Sequence, residues 1–164
     1  MLSAPELLGA LHVLDGFTSG IPALDDWLKR RALANQASGA SRTFVVSEEE
    51  TKVVGYYALA ASAVSVSEAV GRFRRNMPDP IPVIVLARLA VAVRHQGQGL
   101  GRALFQDAAR RVVAASDTIG VRGIIVHAIS EDAATFYRRL GFDPSPLEPM
   151  TLMITLADLR ASMK

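Results

Sequence analysis

The chain has 164 residues, half of them apolar and 21% charged, a composition typical of one globular domain rather than of a disordered protein. Its longest charge-free run, residues 53–67, is shorter than the roughly 18–20 apolar residues that cross a bilayer. No basic residue precedes the first apolar stretch, which argues against a secretory leader. The absence of cysteine excludes disulfide scaffolds and thiolate zinc sites, and fits a reducing cytoplasm.

Positive charge is concentrated in one part of the chain. The net charge is only +2, yet residues 72–111 contain eight arginines and two aspartates. Basic residues are almost all arginine, which suits bidentate contacts with phosphate, although a GC-rich coding sequence would produce the same bias. The local excess predicts a surface that binds a polyanion.

The first half of the chain predicts a strand, a helix and a hairpin. Residues 6–14 are expected to form a strand, and a helix is expected from Pro22 to Gln36. Strands over residues 42–47 and 52–66 are separated by three glutamates and predict a β-hairpin. The apolar stripe of the helix comprises Leu24, Trp27, Leu28 and Ala32.

The second half predicts alternating helices and strands. Residues 67–80 indicate a short helix and a proline loop, and residues 81–93 are almost continuously apolar, which is typical of a strand covered on both faces. Further segments predict an α/β fold with a mixed, strongly twisted sheet flanked by helices. They are a helix over 99–115, a strand over 121–128, a helix from the N-cap Ser130 to Gly141 that buries Ala133, Phe136 and Leu140, and strands near 141–144 and 150–156.

A glycine-rich turn joins the apolar strand to the following helix. It reads Arg94-His95-Gln96-Gly97-Gln98-Gly99-Leu100-Gly101-Arg102. Glycines here let the backbone approach a ligand, and a helix N-terminus supplies free N–H groups, so the turn is a candidate diphosphate cradle. The pattern is neither a P-loop nor a dinucleotide fingerprint, and by itself a plain tight turn is the alternative.

This turn is followed by Ala133-x-x-Phe136-Tyr137-x-x-x-Gly141-Phe142, and the pair of motifs resembles the GNAT N-acetyltransferase family. The resemblance implies a single GNAT domain over residues 1–164, with central strands that splay apart and acetyl-CoA as co-substrate. It also implies a site in which Tyr137 is catalytic, with packing in the core as the alternative. The residues implied to bind acetyl-CoA are Val91 and Val93 through their backbone, and Gly97, Gln98, Gly99, Leu100, Gly101 and Arg102.

A narrower resemblance is to the TacT-like GNAT toxins. It rests on Phe17-x-Ser19-Gly20-x-x-x-Leu24-Asp25-x-Trp27-Leu28, on the segments at 41–45 and 55–59, and on Arg88-Leu89-Ala90-Val91. Such toxins acetylate the amino acid on charged tRNA, which blocks translation, and a ribbon-helix-helix antitoxin neutralises them. The resemblance therefore implies a cytoplasmic toxin that binds aminoacyl-tRNA and forms a homodimer. One departure is Ala92, where we expect many relatives to have an acidic residue.

Two basic clusters are candidate tRNA contacts, with solvated surfaces as the alternative. Residues 81–93 contain no acidic residue that could act as a base. This favours an α-amine, with a pKa of about 7.7–8.0, over a lysine at about 10.4. His95 and His127 are not at metal-ligand spacing, no metal site is predicted, and Arg88 is expected to be paired structurally. Of the two basic clusters that are candidate tRNA contacts, the first comprises Lys29, Arg30 and Arg31, and the second comprises Arg72, Arg74 and Arg75.

Three hypotheses remain open at this point. The first is the aminoacyl-tRNA acetyltransferase toxin, and the second is an ordinary GNAT enzyme acting on a small amine or a protein N-terminus. The third is a GNAT-fold module that binds RNA or protein without catalysis. Only the first requires toxicity on expression, and the second needs no polyanion-binding surface.

Overall fold

A computed structural model describes residues 1–163. Within these residues the chain forms strands and helices in a mixed order. The strands are β1 (Glu6–Leu7), β2 (Arg42–Glu48), β3 (Lys52–Val64), β4 (Ile81–Val91), β5 (Gly123–His127), β6 (Asp143–Pro144) and β7 (Thr151–Thr155). The helices are α1 (Pro22–Arg30), α2 (Ala32–Ser38), α3 (Gly71–Arg74), α4 (Leu100–Ala115), α5 (Glu131–Arg139) and α6 (Leu156–Ser162).

The strands form one mixed sheet in the order β1-β2-β3-β4-β5-β7-β6. Strand β2 is antiparallel to β1 and β3, and β7 is antiparallel to β5 and β6. Strands β4 and β5 run parallel, and helix α4 lies in the crossover connection that a parallel pair requires. The predicted α/β fold with a mixed sheet is confirmed.

The central strand separates from β5 towards its carboxyl end. The register of β4 with β5 comprises two pairs, Ile84 with Ile124 and Val85 with Ile125. Strand β4 continues to Val91 beyond this register. The backbone of its last residues is therefore outside the β4–β5 ladder, in agreement with the predicted splayed strands.

The described residues divide into two compact units. The first comprises residues 1–60 and 87–108. Its core includes Leu24 and Leu28 of α1, Tyr56 of β3 and Leu104 of α4, all buried. Gly55 of β3 suits this packing, because a Cβ there would lie 3.1 Å from the Leu104 side chain, closer than an ordinary contact. The missing side chain lets α4 pack closely on β3.

The second unit comprises residues 61–86 and those from 109 onward. One cluster of its core is centred on Phe73 of α3, which is fully buried. Helix α3 has only four residues, so packing of Phe73 rather than helix propensity holds it. The buried members of this cluster are Val64, Ala69, Phe73, Ile81, Val83, Ile125 and Met153.

The structure differs from the sequence prediction at several element boundaries. The first strand is Glu6–Leu7 rather than 6–14, and the central strand ends at Val91 rather than at residue 93. The predicted helix over 22–36 is interrupted at Arg31, whose φ of −121° lies outside the helical range. Helix α6 replaces the end of the last predicted strand and was not predicted.

Helix α5 buries a different face from the one predicted. Ser130 is its N-cap, with Oγ accepting from the Ala133 N–H at 3.1 Å, as expected. The buried residues are Ala134 and Tyr137, whereas Ala133, Phe136 and Leu140 are only half-buried. Both sets follow helical spacing, so the sequence pattern alone does not choose between the two adjacent stripes.

No helix within residues 1–163 has the length and apolar character needed to cross a membrane.

Candidate functional site

The glycine-rich turn has the backbone geometry of an anion cradle. Gly97 and Gly99 have φ of +76° and +85°, a conformation that side chains with a Cβ rarely adopt. A Cβ built at either position meets nothing within 4 Å, so the space in front of the backbone is open. Helix α4 begins directly afterwards at Leu100 and directs its free N–H groups to the same place. This arrangement fits the diphosphate of acetyl-CoA.

A cavity of about 200 Å³ adjoins the turn in the first unit, and Gln98 and Gly99 are exposed beside it. Arg102 is exposed and has no ion-pair partner within residues 1–163, so its charge is free to contact an anion. The structure thus brings most of the predicted cofactor residues to one open surface. The cavity is lined by Leu2, His95, Gln98, Gly99, Leu100 and Ala103.

Val91 and Val93 do not match the predicted pairing with the pantetheine arm equally well. Val93 lies outside β4 in a short 3₁₀ turn, and its N–H already donates to the Thr18 carbonyl at 2.8 Å. Its carbonyl accepts from the Gln96 N–H, so both backbone groups of Val93 are used within the chain. The contact of Val93 with the pantetheine arm stays a prediction, and the use of its backbone groups within the chain argues against it. Val91 lies at the end of β4, and its carbonyl accepts from the Gln96 Nε2 at 2.9 Å.

Gln96 fixes the start of the turn, a role that the sequence analysis missed. Its Nε2 donates to the carbonyls of Ser19 at 2.8 Å and Val91 at 2.9 Å. Ser19 is itself held by the buried Asp25 carboxylate, which accepts from the Ser19 Oγ at 2.6 Å and from its N–H. Ser19 and Asp25 belong to the segment that resembles the toxins, so that segment was the available signal.

Glu48 of β2 anchors the other side of the turn. Its carboxylate accepts from the Arg94 guanidinium and lies 3.2 Å from the His95 Nε2. The hydrogen bond from Arg94 is the main reason that the pKa of Glu48 is lowered from the ordinary value of 4.5. Arg94, part of the acetyl-CoA motif, is therefore tied to the protein.

We expect Glu48 to make stability depend on pH. Because its folded pKa is lowered, its stabilising effect is fully present above about 4.5 and is lost as pH falls through the lowered value. The melting temperature of Glu48→Gln should be below that of the wild type at neutral pH, and the difference should shrink in acid. Glu50→Gln, an exposed change in the neighbouring turn, is the control and should show no such convergence. A constant difference at all pH values would contradict the expectation.

Tyr137 has the environment of a protonated phenol. It is 8% exposed and packs edge-to-face with Phe136 and Phe142 at centroid distances of 5.2 and 5.4 Å. Burial raises the pKa of its hydroxyl above the ordinary value of 10.0, so the group keeps its proton well above neutral pH. The hydroxyl has no hydrogen-bond partner among the described residues, which leaves it free to donate.

The second basic cluster is only partly free. The Arg72 Nε donates to Asp143 at 2.9 Å, and its Nη1 lies 3.5 Å from Asp158. Two carboxylates thus balance this charge, which argues against the predicted phosphate contact of Arg72. Arg74 and Arg75 are exposed and have no such partner within residues 1–163.

The first basic cluster occupies the end of α1 in the first unit. Lys29 and Arg30 are exposed in its last turn, where positive charge also favours the helix dipole. Arg31 is exposed at the interruption between α1 and α2. All three therefore face solvent, as a phosphate-binding surface requires. No cluster of three or more His, Asp or Glu side chains suited to a metal was found in the described part of the chain.

Fold and turn together are those of an acyltransferase that uses a CoA thioester, and comparison with known families identifies it. Residues 40–144 match the acetyltransferase (GNAT) domain, and the chain belongs to this family of acetyltransferases.

One relative and two solved structures of a second protein, AtaT, are similar to the chain over almost its whole length. The "tRNA-acetylating toxin" of Mycobacterium tuberculosis is 49% identical over 97% of this chain and 95% of that protein. The structure of AtaT complexed with acetyl-methionyl-tRNAfMet has a TM-score of 0.91 and 28% identity, with 100% of both chains covered. An AtaT mutant toxin bound to the C-terminus of the antitoxin AtaR and acetyl-CoA has a TM-score of 0.83 and 28% identity, covering 98% of this chain and 97% of that one.

Proposed function

We propose that this chain is a toxin that uses acetyl-CoA to acetylate the amino acid α-amine on charged tRNA and so stops translation. The observation that carries the proposal is the 49% identity to a tRNA-acetylating toxin over almost the full length of both chains. The match to AtaT in complex with an acetylated aminoacyl-tRNA supports the same substrate class. The proposal treats residues 1–164 as one acetyltransferase domain, since β3, β4 and α4 each have residues in both units.

Acetyl-CoA supplies the acetyl group as a thioester, and the glycine-rich turn binds its diphosphate. The backbone N–H groups from Gly97 to Gly101 act as donors, and Arg102 adds positive charge. Val91, at the end of β4, contacts the pantetheine arm through its backbone. These residues bind and orient the donor without taking part in bond changes.

Tyr137 acts as the general acid in this proposal. The amine attacks the thioester carbonyl, the carbon–sulfur bond breaks, and the sulfur leaves as a thiolate that needs a proton. A phenol with a raised pKa retains its proton at neutral pH and donates it to the thiolate. Strand β4 has no Asp or Glu to act as a base, and an α-amine is already partly neutral at pH 7.

Arg74 and Arg75, together with the cluster Lys29–Arg31, are proposed to bind tRNA phosphates. Affinity for charged tRNA should then decrease steeply with salt, because each neutralised phosphate releases a counterion. In Arg74→Glu/Arg75→Glu, binding and acetylation should both weaken, and the slope of log affinity against log salt should become less steep by about 0.7 for each single-strand phosphate that is no longer neutralised. The measurement is acetyl transfer to charged tRNA at several salt concentrations.

Two controls accompany this experiment. Acetyl-CoA affinity should not change in the double variant, and Arg42→Glu, which reverses an exposed arginine of β2, should keep the wild-type salt slope. Transfer that is independent of salt and survives the double reversal would exclude a phosphate-guided tRNA site and favour a small-amine substrate. Growth arrest on induced expression is the corresponding test in cells.

The partners and location follow from the same proposal. A ribbon-helix-helix antitoxin is proposed to neutralise the protein by covering the basic surface or the acetyl-CoA site, in line with the AtaT mutant toxin bound to the C-terminus of AtaR. We also propose a homodimer in the cytoplasm, a compartment that the cysteine-free composition fits. A neighbouring gene for such an antitoxin is the simplest check.

A further inference from the structure

Arg88 is a half-buried arginine whose charge is not balanced by a carboxylate. It lies on β4 between Leu86 and Ala90, which are 3% and 5% exposed and share its side of the strand. No ion pair involves Arg88 within residues 1–163, and its one hydrogen bond runs from Nη1 to the Ala87 carbonyl at 2.9 Å. Its Nε–Nη2 edge, the edge that binds phosphate or carboxylate with two parallel hydrogen bonds, is without an acceptor in the described chain.

The other partly buried arginine of the core region is satisfied differently. Arg122, also half-buried, donates from Nε to the Phe73 carbonyl at 2.8 Å and from Nη2 to the Arg72 carbonyl at 2.6 Å. The same edge is therefore occupied in Arg122 and free in Arg88. The unoccupied edge of Arg88 is therefore available to a ligand that carries phosphate or carboxylate oxygens.

An aromatic stack holds the Arg88 guanidinium in place. Its central carbon lies 5.0 Å from the ring centroid of Trp27, a cation–π distance. Trp27 in turn stacks on Tyr56 with an interplanar angle of 10°, and the Tyr56 hydroxyl donates to the Leu24 carbonyl at 2.7 Å. Tyr56 is fully buried, so the support beneath Trp27 is rigid. The cation is therefore preorganised before any ligand binds.

We propose that Arg88, held against Trp27, binds a phosphate oxygen of the nucleic-acid substrate and positions the acceptor end. This inference rests on the proposed function. The same phosphate chemistry is present in acetyl-CoA, but the glycine-rich turn already offers backbone donors to that diphosphate. Arg88 also lies within the arginine-rich stretch 72–111. The two sources of phosphate are separated by the experiment.

The first measurement is steady-state kinetics of Arg88→Gln with charged tRNA. Removing a charge-assisted bidentate interaction should raise KM for charged tRNA by at least about tenfold, with little change in kcat or in acetyl-CoA affinity. Arg88→Lys keeps the charge without the fork and should recover part of the affinity. Arg42→Gln, which removes an exposed arginine of β2, should behave as the wild type.

Each other outcome overturns the inference. If acetyl-CoA affinity falls instead, the phosphate that Arg88 binds belongs to the co-substrate. If KM, kcat and acetyl-CoA affinity are all unchanged in Arg88→Gln and Arg88→Lys, Arg88 has only a structural role. Melting temperatures of both variants show whether the fold is intact. If Arg88→Gln does not fold, Arg88→Lys provides the comparison.

A second measurement does not depend on acetyl transfer. Trp27 is the only tryptophan in the chain, so its fluorescence reports directly on the Arg88 contact. Titration with a short oligoribonucleotide should give a saturable change in the Trp27 fluorescence of the wild type. The affinity obtained from this titration should be at least about tenfold weaker in Arg88→Gln. The uncharged methylphosphonate analogue should give none. Absence of the change in the wild type would overturn the inference, whereas wild-type protein that shows it without acetylating charged tRNA would contradict only the proposed function.

Discussion

Replacing Tyr137 by phenylalanine should reduce the rate of acetyl transfer by about 10²–10⁴-fold, the usual contribution of a positioned general acid. The change removes only the hydroxyl, and the ring contacts with Phe136 and Phe142 remain. Because the hydroxyl makes no hydrogen bond within residues 1–163, its removal should hardly alter stability. Turnover, acetyl-CoA affinity and melting temperature are measured side by side.

Tyr57→Phe is the matched control for this change. Tyr57 is a second buried tyrosine, but its hydroxyl donates to Asp107 at 2.5 Å. Removing that hydrogen bond should lower stability by about 1–2 kcal/mol while turnover stays close to the wild type. The opposite pattern, with full turnover in Tyr137→Phe, would show that Tyr137 only packs in the core.

Acetyl-CoA affinity should fall by about 100-fold or more in Gly99→Val, because the valine side chain keeps the diphosphate away from several charge-assisted donors of the cradle at once. Gly99 has a φ of +85°, so any side chain strains the turn, and the valine occupies the open space where the diphosphate approaches. Isothermal calorimetry with acetyl-CoA measures the effect directly.

Backbone strain alone is controlled by Gly39→Val. Gly39 follows α2 with the same φ of +85° and also has nothing within 4 Å of a built Cβ. Both variants should lose similar stability, yet only Gly99→Val should lose acetyl-CoA binding. Equal reduction of affinity in the two, or none in either, would remove the cradle from the proposed site.

The local elements of the chain were largely predictable because each depends on short-range patterns. The hairpin strands β2 and β3, helix α4 and strand β5 lie within two residues of their predicted positions. Ser130 caps α5 with its hydroxyl, and Gly141, which has no Cβ, follows the end of the helix with a φ of +109°. The glycine-rich turn was also predictable, since only glycine adopts φ near +80° without strain.

Choices between equivalent local patterns needed the tertiary structure. Helix α5 has two adjacent apolar stripes, and packing buries the one that contains Ala134 and Tyr137. Residues 6–14 are apolar enough for a strand, but only Glu6–Leu7 pair with β2. Arg31 has good helix propensity, yet the chain turns there between α1 and α2.

The sequence by itself determined the family motifs, the glycine cradle and the position of Tyr137, because these depend on residue type and spacing along the chain. Only the tertiary structure decided which charges are free. Arg72 is balanced by Asp143 and Asp158, residues distant in sequence, while Arg88 lies over Trp27 without a carboxylate. A side chain's electrostatic partner is set by folding, since charges far apart along the chain are brought within 4 Å and others are left unpaired.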